Sequence, residues 1–187
     1  MSGSSGAECS GGELEIEGKT IEVDGRGVVT FRAVLPEDSQ FLLEVYGCTR
    51  AEELALTGWG SEQRDAFLKM QLDAQHVHYR GQYPSARYLL VLLDGNPVGR
   101  LYLADKDSEI RILDVTILPE YRGSGIGTAL VLHLMTCSSA VGKPLSIYVE
   151  TFNRSLGLFE RLGFVRSGEA GYSLLLQWNP RTAAQVT

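Results

Sequence analysis

The chain has 187 residues, 44% hydrophobic and 21% charged, with 17 Lys and Arg against 23 Asp and Glu for a net charge of −6. That composition suits a globular domain with its own core, and the acidic balance argues against nonspecific binding to nucleic acid or to an anionic membrane. The longest apolar run, Tyr88 to Leu93, falls far short of the ~20 residues that span a bilayer, and three scattered cysteines (Cys9, Cys48, Cys137) suggest neither a disulfide framework nor a zinc site.

Residues 1–12 are Gly/Ser-rich, without the basic and apolar segments of a secretory signal, and are expected to form a disordered tail. One domain is expected over 13–180, with a flexible tail at 181–187. Leu14/Ile16 and Ile21/Val23 alternate around Gly18-Lys19 and predict a small hairpin. Val28–Ala33 reads as a strand. Pro36-Glu37-Asp38 opens a helix whose buried side is Phe41, Leu42, Val45 and Tyr46. A second helix starts near Ser61, with Phe67, Met70, Ala74 and Val77 as its apolar stripe. Strands follow at Tyr88–Leu93 and Pro97–Ala104, joined by Asp94-Gly95-Asn96. A third strand runs from Glu109 to Ile117. A helix over Ile126–Ala140, a strand over Pro144–Val149 and a helix over Asn153–Leu162 complete the middle, and Phe164–Ser167 and Tyr172–Trp178 close as strands. The alternation predicts an α/β fold, a mixed central sheet with helices on both faces.

The stretch from Ile117 to Thr128, with its run Arg122-Gly123-Ser124-Gly125-Ile126-Gly127-Thr128, carries the chemistry. A strand feeds a glycine-rich loop that opens a helix, an arrangement that aims backbone N–H groups and the positive helix end at a pyrophosphate. A Rossmann fingerprint requires Gly at position 128, where Thr stands, and a Walker A loop requires Gly-Lys-Ser/Thr, which is missing. The remaining pattern, [Gln/Arg]-x-x-Gly-x-Gly/Ala, is met by Arg122, Gly125 and Gly127. It resembles the cofactor loop of the GNAT family of N-acetyltransferases. Asn153 through Phe164, with Phe159-Glu160-Arg161-Leu162-Gly163-Phe164, is similar to a second motif of that family. Its central segments, among them Val98-Gly99-Arg100-Leu101-Tyr102, look like those of an uncharacterised bacterial subgroup.

The resemblance implies the GNAT-type acyl-CoA N-acyltransferase fold and acetyl-CoA as cofactor. It implies that Val115, Thr116 and Ile117 meet the pantetheine arm between two splayed strands. Gly123, Ser124, Gly125, Ile126, Gly127 and Thr128 would wrap the pyrophosphate with Arg122, and Asn153 and Phe159 would lie by the thioester arm. The implied activity is direct transfer of acetyl to a primary amine of a small molecule or peptide. A non-catalytic acyl-CoA-binding regulatory module, or a protein N-terminal or lysine acetyltransferase, are alternatives. An alkylammonium must lose a proton before it attacks, so a carboxylate is wanted as general base: Glu150, Asp114 and Glu109 are candidates, in that order. Phe159 stands where the family often has an acidic Tyr. Arg50, Glu53, Trp59, Gln71 and Tyr79, on and between the first helices, are candidate acceptor-binding residues. A metal is not expected: His76 and His78 point about 200° apart on a helix. A cytoplasmic monomer or homodimer is expected.

Overall fold

The structure, a computed structural model, describes residues 14–180, so both expected tails lie outside the described residues. The elements run β1 (Thr20–Val23), β2 (Gly27–Ala33), α1 (Ser39–Thr49), α2 (Ala51–Ala55), α3 (Ser61–Gln82), β3 (Ala86–Leu93), β4 (Asn96–Asp105), β5 (Ile110–Ile117), α4 (Ile126–Val141), β6 (Leu145–Glu150), α5 (Leu156–Arg161), β7 (Val165–Ala170) and β8 (Ser173–Trp178). Eight strands form one mixed sheet in the order β1-β2-β3-β4-β5-β6-β8-β7. The β5/β6 pair is parallel and the other pairs are antiparallel.

Helices cover both faces, as the alternation predicts. One face packs on α4 and α5 through Val91, Leu101, Ile112, Leu130, Leu134 and Phe159. The other packs on α1, α2 and α3 through Leu90, Leu92, Tyr102, Leu42, Leu54 and Leu72. Side chains of one strand therefore divide between two cores, the period-2 alternation of a sheet buried on both sides.

Several expectations shift. The first hairpin turns at Asp24-Gly25-Arg26, not at Gly18-Lys19: Thr20–Val23 pairs with Gly27–Thr30, and Gly25 holds the positive φ of +67° that the turn requires. The stripe of α3 lies one residue further on. Leu68 and Leu72 are buried, whereas Met70 and Val77 are exposed. The aromatic and polar side chains of the next turns, His76 and Tyr79, complete that face. A short helix, α2, occupies the stretch between the first two long helices that carried no helical period. Pro36–Asp38 forms a single 3-10 turn that leads into α1.

Candidate active site

β5 and β6 are paired only over Ile110–Ile112 and Leu145–Ile147. Past those residues the strands part, and β5 keeps a partner on its β4 edge alone. The opening thus starts at Leu113 on one side and Tyr148 on the other. A β-bulge sits at the same level. Tyr102 faces Asp114 and Leu103 faces Ile112, so Leu113 has no opposite residue. The extra residue shifts the alternation of β5. Ile110 and Ile112 belong to the α4-side core, Leu113 packs on the α3 side, and Val115 and Ile117 return to the α4 side. Past the split the backbone groups of β5 alternate between its two edges: those of Leu118, and with it Thr116, face β4, while Val115 and Ile117 turn theirs to the open β6 edge, where Arg122 takes the Ile117 carbonyl.

The strand leads through a turn at Pro119–Tyr121 into the glycine loop and α4. Gly123 and Gly125 have φ of +71° and +89°, a backbone that disfavours side chains. Gly127 stands in the first turn of α4. The amides of residues 123–128 donate to no acceptor among the described residues. Ser124 Oγ closes the loop on the Tyr121 carbonyl. Six free donors on a left-handed bend at a helix N-terminus fit the anionic pyrophosphate of a coenzyme A. Arg122 is exposed. Its Nε donates to Ile117 O (2.9 Å) and one terminal nitrogen to Cys48 Sγ (3.3 Å), so the loop is tied to the end of α1. Burial pushes the Cys48 thiol up against the pull of the Arg122 charge.

The three carboxylates occupy different settings. Asp114 takes two bonds from Arg100, Nε to Oδ1 at 3.2 Å and a terminal nitrogen to Oδ2 at 2.7 Å, and a third from Thr116 Oγ1 at 2.8 Å. Arg100 is fully buried, bonded also to Gln75 Oε1 (3.2 Å) and enclosed by the rings of Tyr46 and Tyr102. Asp114 is thus the counter-ion of a buried guanidinium and is not available as a base. Glu109 lies at the closed end of the wedge, bonded by Ser146 Oγ (2.6 Å), Arg111 (2.7 Å) and Lys106 (3.1 Å). Burial pushes its carboxyl up, but those donors and the two positive charges outweigh burial and hold it below the usual range. Glu150 ends β6 at the open end. It is half-buried, shares the sheet face of Ser146 and Tyr148, and its side chain has no hydrogen bond or ion pair among the described residues.

Asn153 shapes the turn before α5. Its Oδ1 accepts from the Ser155 amide (2.9 Å) and its own amide donates to the Glu150 carbonyl (2.9 Å). Phe159 corrects an expectation. It is 1% exposed in the α4-side core with its ring against Phe164, so it cannot line a ligand cleft.

Of the five candidate acceptor residues, Tyr79 reaches the wedge. Its hydroxyl donates to the bulge carbonyl, Leu113 O, at 3.0 Å, and burial, then the Asp114 charge, raise its phenol so that it stays protonated. Arg50 pairs with Glu53 (3.0 Å) beside the Tyr46 ring. Trp59 packs on Phe67. Gln71 is half-buried, one turn before the Gln75 that bonds Arg100. The sequence reading missed Arg100 and Arg111 as site residues. A charge inside each of two adjacent apolar strands, Arg100 and Asp114, was the available signal for the first. A cavity of about 230 Å³ opens at the wedge vertex, lined by His78, Tyr79, Gln82, Tyr83, Arg111, Ile112, Leu113 and Tyr148. A larger one of about 540 Å³ lies between the start of α1 and the middle of α3, and no loop or wedge residue lines it.

Residues 51–164 match the Acetyltransferase (GNAT) family. No curated protein matches the sequence. Solved structures share the fold. RimJ of Mycobacterium smegmatis, in complex with CoA-disulfide, is 20% identical with a TM-score of 0.62, over 89% of this chain and 88% of that one. The PaiA N-acetyltransferase of Thermoplasma acidophilum, in complex with coenzyme A, is 19% identical with a TM-score of 0.57, over 81% and 98%. An acetyltransferase of Thermus thermophilus is 20% identical with a TM-score of 0.59, over 81% and 96%. Among the described residues no helix is long and apolar enough to cross a membrane. With a family match over more than half its length, the wedge between β5 and β6 and the loop of free amides, the chain belongs to the GNAT acetyltransferase family and is an N-acyltransferase that uses acetyl-CoA.

Proposed function

We propose that the protein moves an acetyl group directly to a primary amine of a small molecule, with Glu150 as general base. The observation that carries this reading is the wedge: it opens at Leu113 and Tyr148, beside a half-buried carboxylate with no partner among the described residues. Bound acetyl-CoA supplies the acetyl group as an activated thioester. The amides of 123–128 and the backbone of Val115–Ile117 hold its two ends. Glu150 takes the ammonium proton at the open end of the same face, while Asp114 keeps Arg100 neutralised and Tyr79 fixes the bulge. Phe159 offers no proton, and none is demanded of a dedicated acid, because a thiolate with pKa ~8.5 leaves readily. A peptide acceptor is the second reading. The lining of the vertex cavity by α3 favours the small molecule.

The test is calorimetric titration with acetyl-CoA, followed by thiol release with a panel of amines. Micromolar binding and amine-dependent release are expected, and Glu150→Gln lowers kcat by about 10²-fold with acetyl-CoA affinity retained. Full activity in that variant removes Glu150 from the role. Absence of acetyl-CoA binding by the wild type overturns the placement of the cofactor.

A further inference from the structure

The vertex cavity holds a cation that the transfer reaction does not call for. Arg111 projects from the start of β5, and its side chain is 9% exposed. Its Nε donates to Ser146 Oγ (2.7 Å) and one terminal nitrogen to Glu109 Oε1 (2.7 Å). Its guanidinium lies 4.8 Å from the centre of the Tyr148 ring. Three contacts hold the group rigid. Its second terminal nitrogen donates to no acceptor among the described residues, and Arg111 lines the cavity. A charged donor in a confined site gains from an acceptor that arrives there, and a guanidinium fixed by a carboxylate on one edge presents its free edge as a ready site for a second carboxylate. Gln82 and His78 add polar groups to the same wall, and Tyr79 and Tyr83 add flat apolar ones.

We propose that the acceptor is a small amine that also carries a carboxylate, an amino-acid-like molecule whose carboxylate binds the free edge of Arg111 while its amine faces the wedge vertex. This rests on the reading above that acetyl-CoA fills the wedge, and takes its thioester to lie at the wedge vertex, within reach of both the cavity and Glu150. A volume of about 230 Å³, below the ~300 Å³ at which pockets for drug-sized ligands begin, limits the acceptor to a few heavy atoms beyond its two charged ends. In the transfer the amine lone pair forms the C–N bond, the C–S bond breaks with its electrons going to sulfur, and the proton lost by nitrogen balances the one gained by the thiolate. The carboxylate is unchanged and serves only to bind.

The experiment compares matched acceptors with acetyl-CoA as donor: α- and ω-amino acids of increasing chain length, and the methyl ester or alkylamine of each. Thiol release is read against acceptor concentration. The expected result is a KM lower by about tenfold or more for the best amino acid than for its ester. Arg111→Gln is expected to abolish that preference, and Arg111→Lys, which keeps the charge beside Glu109, to restore part of it. Acetyl-CoA affinity is titrated in each protein. Wild-type protein that binds acetyl-CoA yet shows no preference for the carboxylate, or turns over none of the amino acids, overturns the inference and leaves the cofactor reading intact. Wild-type protein that binds no acetyl-CoA overturns both. Should the Gln variant fail to fold, the ester comparison in the wild type and the Lys variant decide.

Discussion

Gly127 separates what the fold needs from what the ligand needs. A Cβ built there meets only Leu158 Cδ2, at 3.8 Å, an ordinary contact. The residue lies in the first turn of α4, where Ala is the better helix former. Gly127→Ala is therefore expected to keep or raise stability, by about 0.4–1 kcal/mol in urea unfolding. Acetyl-CoA affinity is expected to fall in calorimetry, because a side chain in the first turn of α4 crowds the approach of a pyrophosphate to the free amides of 123–128. Gly123 and Gly125 offer no such separation, since their positive φ serves the loop itself. Glycine patterns in a sequence do not distinguish these two kinds of position.

At the scale of elements, two ion pairs fasten helices and strands. Arg100 and Asp114 join β4 to β5 beneath α1 and α3. Arg100→Met alone strands a buried carboxylate and is expected to lose about 3–5 kcal/mol in urea unfolding, whereas Arg100→Met with Asp114→Leu recovers most of that loss. Arg32 and Asp38 join β2 to the turn before α1 by two bonds of 2.7 Å, and the Leu35 amide adds a third at 2.7 Å. The Arg32 bond, opposed by burial and helped by the Leu35 amide, holds the Asp38 carboxyl below its ordinary value. A carboxyl lowered in the folded chain stabilises fully above its unfolded value of ~3.9, and that gain is lost as pH falls through the folded value. The melting temperature of the wild type should drop below about pH 4, and that of Asp38→Asn should drop less, beginning from a lower value at pH 7. Elements with strong periods, β3 to β6 and α4, were legible in the sequence to within a residue or two. The face of α3 was not, because polar and aromatic side chains (Gln75, His76, Tyr79) hold it against the sheet where hydrophobicity alone pointed to Met70 and Val77. The loop of free amides before α4 was legible from its glycines. The vertex cavity was not, because it is made where α3, β5 and β6 meet, and no local pattern reports a meeting of distant strands.

For the molecule as a whole, the open wedge leaves the sheet held across its middle by three residue pairs between β5 and β6. A ligand that fills the gap joins the two halves. Acetyl-CoA at 100 times its Kd should add about 2.7 kcal/mol, or roughly 5–10 °C in melting temperature for a domain of this size. Hydrogen exchange should slow chiefly at residues 113–128. The Leu113 bulge gives this architecture a phase. Every side chain of β5 after it is displaced by one step relative to those before it. Deletion of Leu113 alone would take out the extra residue and leave both faces as they are: Asp114 would still face Tyr102 and Arg100, and Val115 and Ile117 would still face α4. What the deletion removes is the carbonyl to which the Tyr79 hydroxyl is bonded. The bulge is thus a one-residue frameshift built into the strand, and its removal would put the two halves of β5 back into a single reading frame.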